Sequence, residues 1–106
     1  MKHTVHFHDN VLAEATQFMS RRDFARICAH LAEHPDDGSR MRDLPLFRYK
    51  WWHPPSRVWY YRPSHEDPRI VILKVSQGHG RLSLKAVREG LQLFKLVLEL
   101  HKLLGP

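Results

Sequence analysis

The residues best suited to chemistry in this chain are cations, and most of them fall within a short stretch. Arg48 and Lys50 stand two apart in Phe47-Arg48-Tyr49-Lys50-Trp51, a spacing that puts both on one face of an extended strand. Arg57 and Arg62 bracket the segment Arg57-Val58-Trp59-Tyr60-Tyr61-Arg62, and His79 and Arg81 lie in Gln77-Gly78-His79-Gly80-Arg81. A guanidinium grips phosphate oxygens two at a time, and a lysine adds a point charge. Histidine titrates near neutrality, so His79 can give or take a proton. Together these groups would hold an anion and move a proton beside it, and Trp52 offers a ring on which an unpaired base would stack. Each also has a plainer reading. Arg48 and Lys50 would equally serve as the solvated face of a half-exposed strand, Arg57 would pair with Asp43 or Glu66, the aromatics would fill a core, and His79 is one of nine histidines.

The distribution of charge decides how far that pattern matters. The net charge of +6 is uneven: residues 1–39 sum to −2, whereas residues 40–81 sum to +6. A basic centre of this kind is the footprint expected of a protein that meets polyanions, although it would also serve solubility alone. At 106 residues, 42% of them apolar, the chain is expected to form one domain with its own core. The single cysteine, Cys28, excludes an internal disulfide and reads as a small hydrophobe in a reducing compartment. No apolar leader follows Met1-Lys2-His3-Thr4, and Leu91 to Leu104 is interrupted by Lys95, Glu99, His101 and Lys102, so a soluble cytoplasmic protein is expected and no membrane partner. His6 and His8 share a strand face, yet no carboxylate or cysteine stands at ligand spacing, and neither a metal nor any other cofactor is expected.

The elements that must position these cations follow from periodicity. Val5 and Phe7 alternate in a short first strand, and Asp9 or Asn10 would cap a helix. Val11, Leu12, Ala15, Phe18 and Met19, then Phe24, Ile27, Cys28 and Leu31, recur at helical spacing. Ser20-Arg21-Arg22-Asp23 has capping-box form between them, which predicts two helices or one broken near Ser20. His34-Pro35-Asp36-Asp37-Gly38 ends the helix in a turn. From about Leu46 the period changes to two. Strands over residues 47–51, 57–62 and 70–75, joined by His53-Pro54-Pro55-Ser56 and the polar turn 63–68, predict an antiparallel meander. Ser83 to Leu104 is helical by pattern, with Leu84, Val87, Leu91, Phe94 and Leu98 in one stripe and further leucines spread around the cylinder. It would lie on the sheet, with part of it available to a second copy or another chain.

The order strand, two helices, meander resembles the RelE/ParE toxin superfamily. His30-Leu31-Ala32-Glu33-His34-Pro35-Asp36-Asp37-Gly38 is similar to that family's helix ending in a proline turn. Ser56-Arg57-Val58-Trp59-Tyr60-Tyr61 is similar to its arginine-led strand, with serine in place of the leading tyrosine. Ile70 to Val75 followed by Gln77-Gly78-His79-Gly80-Arg81 looks like its last strand and the functional turn after it. The resemblance covers roughly residues 4–81 and implies an α+β fold: an N-terminal strand and two helices packed on a small antiparallel sheet, with residues 82–106 as an extra C-terminal helix, which HigB-like members also carry.

It further implies a toxin of a toxin-antitoxin pair that cleaves messenger RNA at the ribosome by attack of a 2′-hydroxyl, without a metal. His79, Arg57, Arg81 and Lys50 would be the catalytic groups. Arg48, Lys50, Trp52 and Arg62 would contact RNA, on a surface the meander turns to one side. Implied partners are messenger RNA on the ribosome, a cognate acidic antitoxin and, through the C-terminal helix, a second copy. Many RNA-cleaving members carry a tyrosine near the C-terminus, whereas here none follows Tyr61. The alternative is therefore a ParE-like binder of gyrase or nucleic acid that does not cut, or an adaptor assembling through its last helix.

Overall fold

A computed structural model describes residues 3–41, 47–52, 56–62, 66–78 and 82–104, without the side chains of Lys50, Trp51, Trp52 and residues 97–104. Eight elements follow one another along the chain: β1 (Thr4–Phe7), α1 (Asp9–Ala15), α2 (Arg21–Glu33), β2 (Ser39–Arg40), β3 (Phe47–Trp52), β4 (Ser56–Tyr61), β5 (Arg69–Gln77) and α3 (Leu84–Leu104). They form an α+β fold around one five-stranded sheet of order β1-β5-β4-β3-β2. The helical spacing at residues 11–19 and 24–31 becomes α1 and α2, separated where Ser20 accepts a hydrogen bond from the Asp23 amide at 3.1 Å, as its capping pattern predicts. The first helix starts one residue early, with His8 as its N-cap and no side-chain bond there.

The meander β3-β4-β5 is antiparallel as expected. Two strands extend it beyond the expectation. The short β2 adds on to β3, and β1 pairs in parallel with β5, Val5 opposite Ile70 and Phe7 opposite Ile72, which makes the sheet mixed. A parallel pair of this kind needs a long connection, and α1, α2 and the rest of the meander lie between the two strands.

Each face of the sheet buries its own cluster. On one, Val58, Tyr60, Ile70, Ile72 and Val75 meet Val11 and Ala15 of α1 and Phe24, Ile27 and Leu31 of α2, all 7% exposed or less. The amphipathic helices cover this side because their apolar residues recur every three to four positions. On the other face Phe47, Trp59, Val71 and Leu73 pack with Tyr49, Tyr61, Leu82, Val87, Leu93 and Phe94, which is the seat of α3. Leu84 and Leu91, expected in the inner stripe of α3, are 72% and 38% exposed. The helix is instead rotated so that Gly90 faces the sheet, and a Cβ there would stand 1.9 Å from Leu73 Cδ2. A bare backbone is what allows this close approach of helix to strand.

Arg69 and Tyr61 pin the middle of α3 at Phe94. The Arg69 fork grips both oxygens of Asp67, with Nε at 2.8 Å from Oδ1, and its Cζ lies 4.2 Å from the Phe94 ring centre. Tyr61 meets the same ring edge-on at 5.1 Å. Cys28 is half-buried on α2, and burial pushes its thiol up to about 11 from 9.0.

Candidate functional site

Strand parity sorts the expected basic residues onto two faces. In the β3-β4 ladder Arg48 pairs with Tyr60, whereas Arg57 pairs with Trp51. Arg48, Tyr60 and Arg62 therefore turn toward the end of α2, and Tyr49, Arg57 and Trp59 turn toward the α3 side. The single surface expected to carry Arg48, Lys50 and Arg57 together is not what this register builds. One residue of offset between the two strands sends alternate cations to opposite sides.

On the α2 side the turn Pro35–Gly38 is tied down by polar contacts. The Gly38 amide donates to Tyr60 Oη at 2.9 Å, and the Tyr60 hydroxyl donates to the Pro35 carbonyl at 2.8 Å. Arg48 Nη1 donates to the Gly38 carbonyl at 2.8 Å and its Nη2 stands 3.2 Å from Asp36 Oδ1. Arg62 Nη1 donates to the same Asp36 oxygen, although Arg62 as a whole is 7% exposed. In the same turn His30 Nε2 meets Asp37 Oδ2 at 2.7 Å. Burial pushes the Tyr60 hydroxyl above its ordinary pKa, opposed by the Gly38 amide it accepts from. Gly38 is required here, since an added Cβ would lie 2.6 Å from Tyr60 Oη and 2.8 Å from the Tyr49 carbonyl.

On the α3 side Arg57 is held differently. Its Cζ lies 4.1 Å from the Tyr49 ring centre and 5.0 Å from that of Trp59. Stacking on π faces contributes about 0.5–2 kcal/mol and restrains the guanidinium plane while leaving its positive charge in place. Lys74 of β5 shares this neighbourhood, with Nζ 6.0 Å from the Trp59 ring centre. No motif marks Lys74, which stands inside an otherwise apolar run.

Lys50 and Trp52 occupy places in β3 opposite Val58 and Ser56. His79, Arg81 and Asp43 lie outside the described residues. The chain leaves β5 at Gln77, which pairs with Ser56, one place beyond Ser76 opposite Arg57, and Gly78 then takes a left-handed φ of 76°. Among the described residues no group of three histidine, cysteine or carboxylate side chains is placed to hold a metal, and no helix is long and apolar enough to cross a membrane.

These elements define a helix-backed mixed sheet whose cations divide between a clamped turn and an aromatic-lined face. The architecture is similar to that of the E. coli toxin RelE, solved in the free state as a double arginine-to-alanine mutant, with a TM-score of 0.60 over 87% of this chain and 97% of that one. Identity is 16%, so the likeness lies in the fold, which is RelE-like. No protein family and no curated protein matches the chain at the level of sequence.

Proposed function

We propose that this protein is the toxin of a toxin-antitoxin pair and cleaves messenger RNA at the ribosome. The observation that carries the reading is Arg57, stacked on Tyr49 and Trp59 in a RelE-like sheet. A positive charge restrained by rings, next to the point where the His79-bearing segment leaves β5, suits a phosphate that gains charge during reaction. In the reaction a base removes the 2′-hydroxyl proton and the oxygen attacks the adjacent phosphorus. The 5′-oxygen leaves with a proton, giving a 2′,3′-cyclic phosphate. Arg57 and Arg81 hold the phosphate oxygens and His79 transfers a proton, while Lys50, at the strand parity of Arg48 rather than of Arg57, contacts the RNA away from that phosphate.

Trp52 is the proposed stacking platform for a base. Arg48 and Arg62 have the chemistry to contact RNA, but each already holds Asp36, so in this reading they do so only in exchange for that carboxylate. An acidic antitoxin is the fitting partner for the basic centre, and a cytoplasmic setting follows from a ribosomal target.

Inducible expression in a bacterium tests the proposal. Growth arrest with cleaved messages is expected, and both are lost in Arg57→Ala and His79→Ala. Arrest that survives both changes with intact messages overturns cleavage and favours a target bound without chemistry, such as gyrase.

A further inference from the structure

Strict alternation along β5 would place Lys74 on the same side as Ile70 and Ile72, against Val11, Phe24 and Ile27, where an ammonium would be costly to bury. The strand avoids this with a bulge. Tyr60 pairs with Ile72 but Trp59 pairs with Lys74, so Leu73 is an extra residue without an opposite number in β4. Past it the parity reverses. Leu73 and Lys74 both turn to the side of Trp59, and Val75 takes the core place beside Val58. Bulges recur next to functional sites because they re-aim a side chain in this way.

The consequence is a pair of cations on one aromatic ring. Arg57 Cζ and Lys74 Nζ stand 5.0 Å and 6.0 Å from the Trp59 ring centre, and they come from neighbouring strands. Lys74 also lines a groove of about 330 Å³ between α1 and α3, together with Asn10, Glu14, Ser83, Lys85 and Glu89 among others. Glu14 and Glu89 are the acidic groups there. The Glu89 carboxylate is engaged by Lys85 at 4.0 Å and Asn10 at 3.4 Å.

We infer that Lys74 is a second backbone-binding cation beside Arg57, aimed by the Leu73 bulge to take the next phosphate of a single-stranded RNA that runs over these two side chains, beneath which Trp59 is buried. The inference rests on the proposed function and extends its site to a residue that no motif marks. Its role is electrostatic, so it appears in the salt dependence of binding: each phosphate contact on a single strand adds about 0.7 to the slope of log K against log salt.

The test uses the full chain and a short 2′-O-methyl single-stranded RNA, which presents phosphates but no nucleophile. Lys74→Gln is expected to weaken binding several-fold at low salt and to make the slope shallower by about 0.7, with the thermal midpoint unchanged. Lys74→Arg is expected to keep the slope, and Lys85→Gln, at a side chain 83% exposed, to leave both readings unaltered. An unchanged slope in Lys74→Gln, with or without a lower thermal midpoint, overturns the inference and assigns Lys74 to packing in the groove. If Arg57→Ala still lowers the slope, the proposed function stands without Lys74. If neither substitution moves the slope, or the wild-type chain does not bind the probe, both ideas fall.

Discussion

The two faces of the sheet hold their arginines by opposite means. Toward α2, Arg48 and Arg62 converge on Asp36 and fix the Pro35–Gly38 turn. Toward α3, Arg57 lies on the rings of Tyr49 and Trp59. A carboxylate orients a guanidinium through directional hydrogen bonds and offsets charge, whereas a π face orients the guanidinium plane through the ring quadrupole. Residues of one type in adjacent strands thus enter different settings, a clamped turn or an aromatic-lined face, according to strand parity.

Substitutions on each face should separate these two uses. Arg57→Ala is expected to lower RNA cleavage by about 10²–10³-fold, close to the 3–4 kcal/mol that a lost charge-stabilising contact costs in a transition state, while the thermal midpoint moves little. A kinetic assay on ribosome-bound message beside a melting curve reads both, and a midpoint that drops in parallel with activity would erase the distinction.

The opposite profile is expected on the α2 side. Gly38→Ala must displace Tyr60 or the β3 backbone and should destabilise the fold by about 2–3 kcal/mol, measured by urea unfolding. Tyr60→Phe removes the bonds to Gly38 and Pro35 and should cost about 1–2 kcal/mol; a neutral result would mean the turn is held by the arginines alone.

The smallest effect is on pH. The Cys28 thiol has its pKa raised from 9.0 to about 11 on folding, so the folded state keeps a proton that the unfolded chain releases. Its stabilising contribution is complete below about pH 9 and is lost as pH rises toward 11. Tyr60, also raised, adds to the decline at higher pH. Cys28→Ala should flatten the first part of that fall in midpoint, on a flank of α2 that touches neither arginine cluster.

Much of this architecture is legible in the sequence. The change of period near residue 47, the helix break before Ser20-Arg21-Arg22-Asp23 and the proline turn after His34 each have a local cause, and each is present. What escaped reading is non-local. The two residues of β2 are too few to show a period, and nothing near Thr4–Phe7 points to a partner at Ile70. The Leu73 bulge leaves no trace in an apolar run, because parity cannot be seen where every residue is apolar. Lys74, a charge between Leu73 and Val75, was the one available sign. The phase of α3 was ambiguous for a related reason: leucines all around the cylinder hide the stripe that packs, and Gly90, which marks it, carries no hydrophobic signal. For the site, alternation puts Arg48 and Lys50 at one parity of β3 but cannot give the offset between β3 and β4. Asp36 belonged to an acidic segment that reads as mere turn.

The pairing of β1 with β5 also constrains how the molecule comes to be made. During synthesis the first strand emerges some sixty residues before the one it will lie against. At ribosomal speeds that interval is roughly 3–15 s. Throughout it, the apolar sides of α1 and α2 have no sheet to cover them. A nascent chain of this topology stays adhesive until its last strand is out, and closes its core only then.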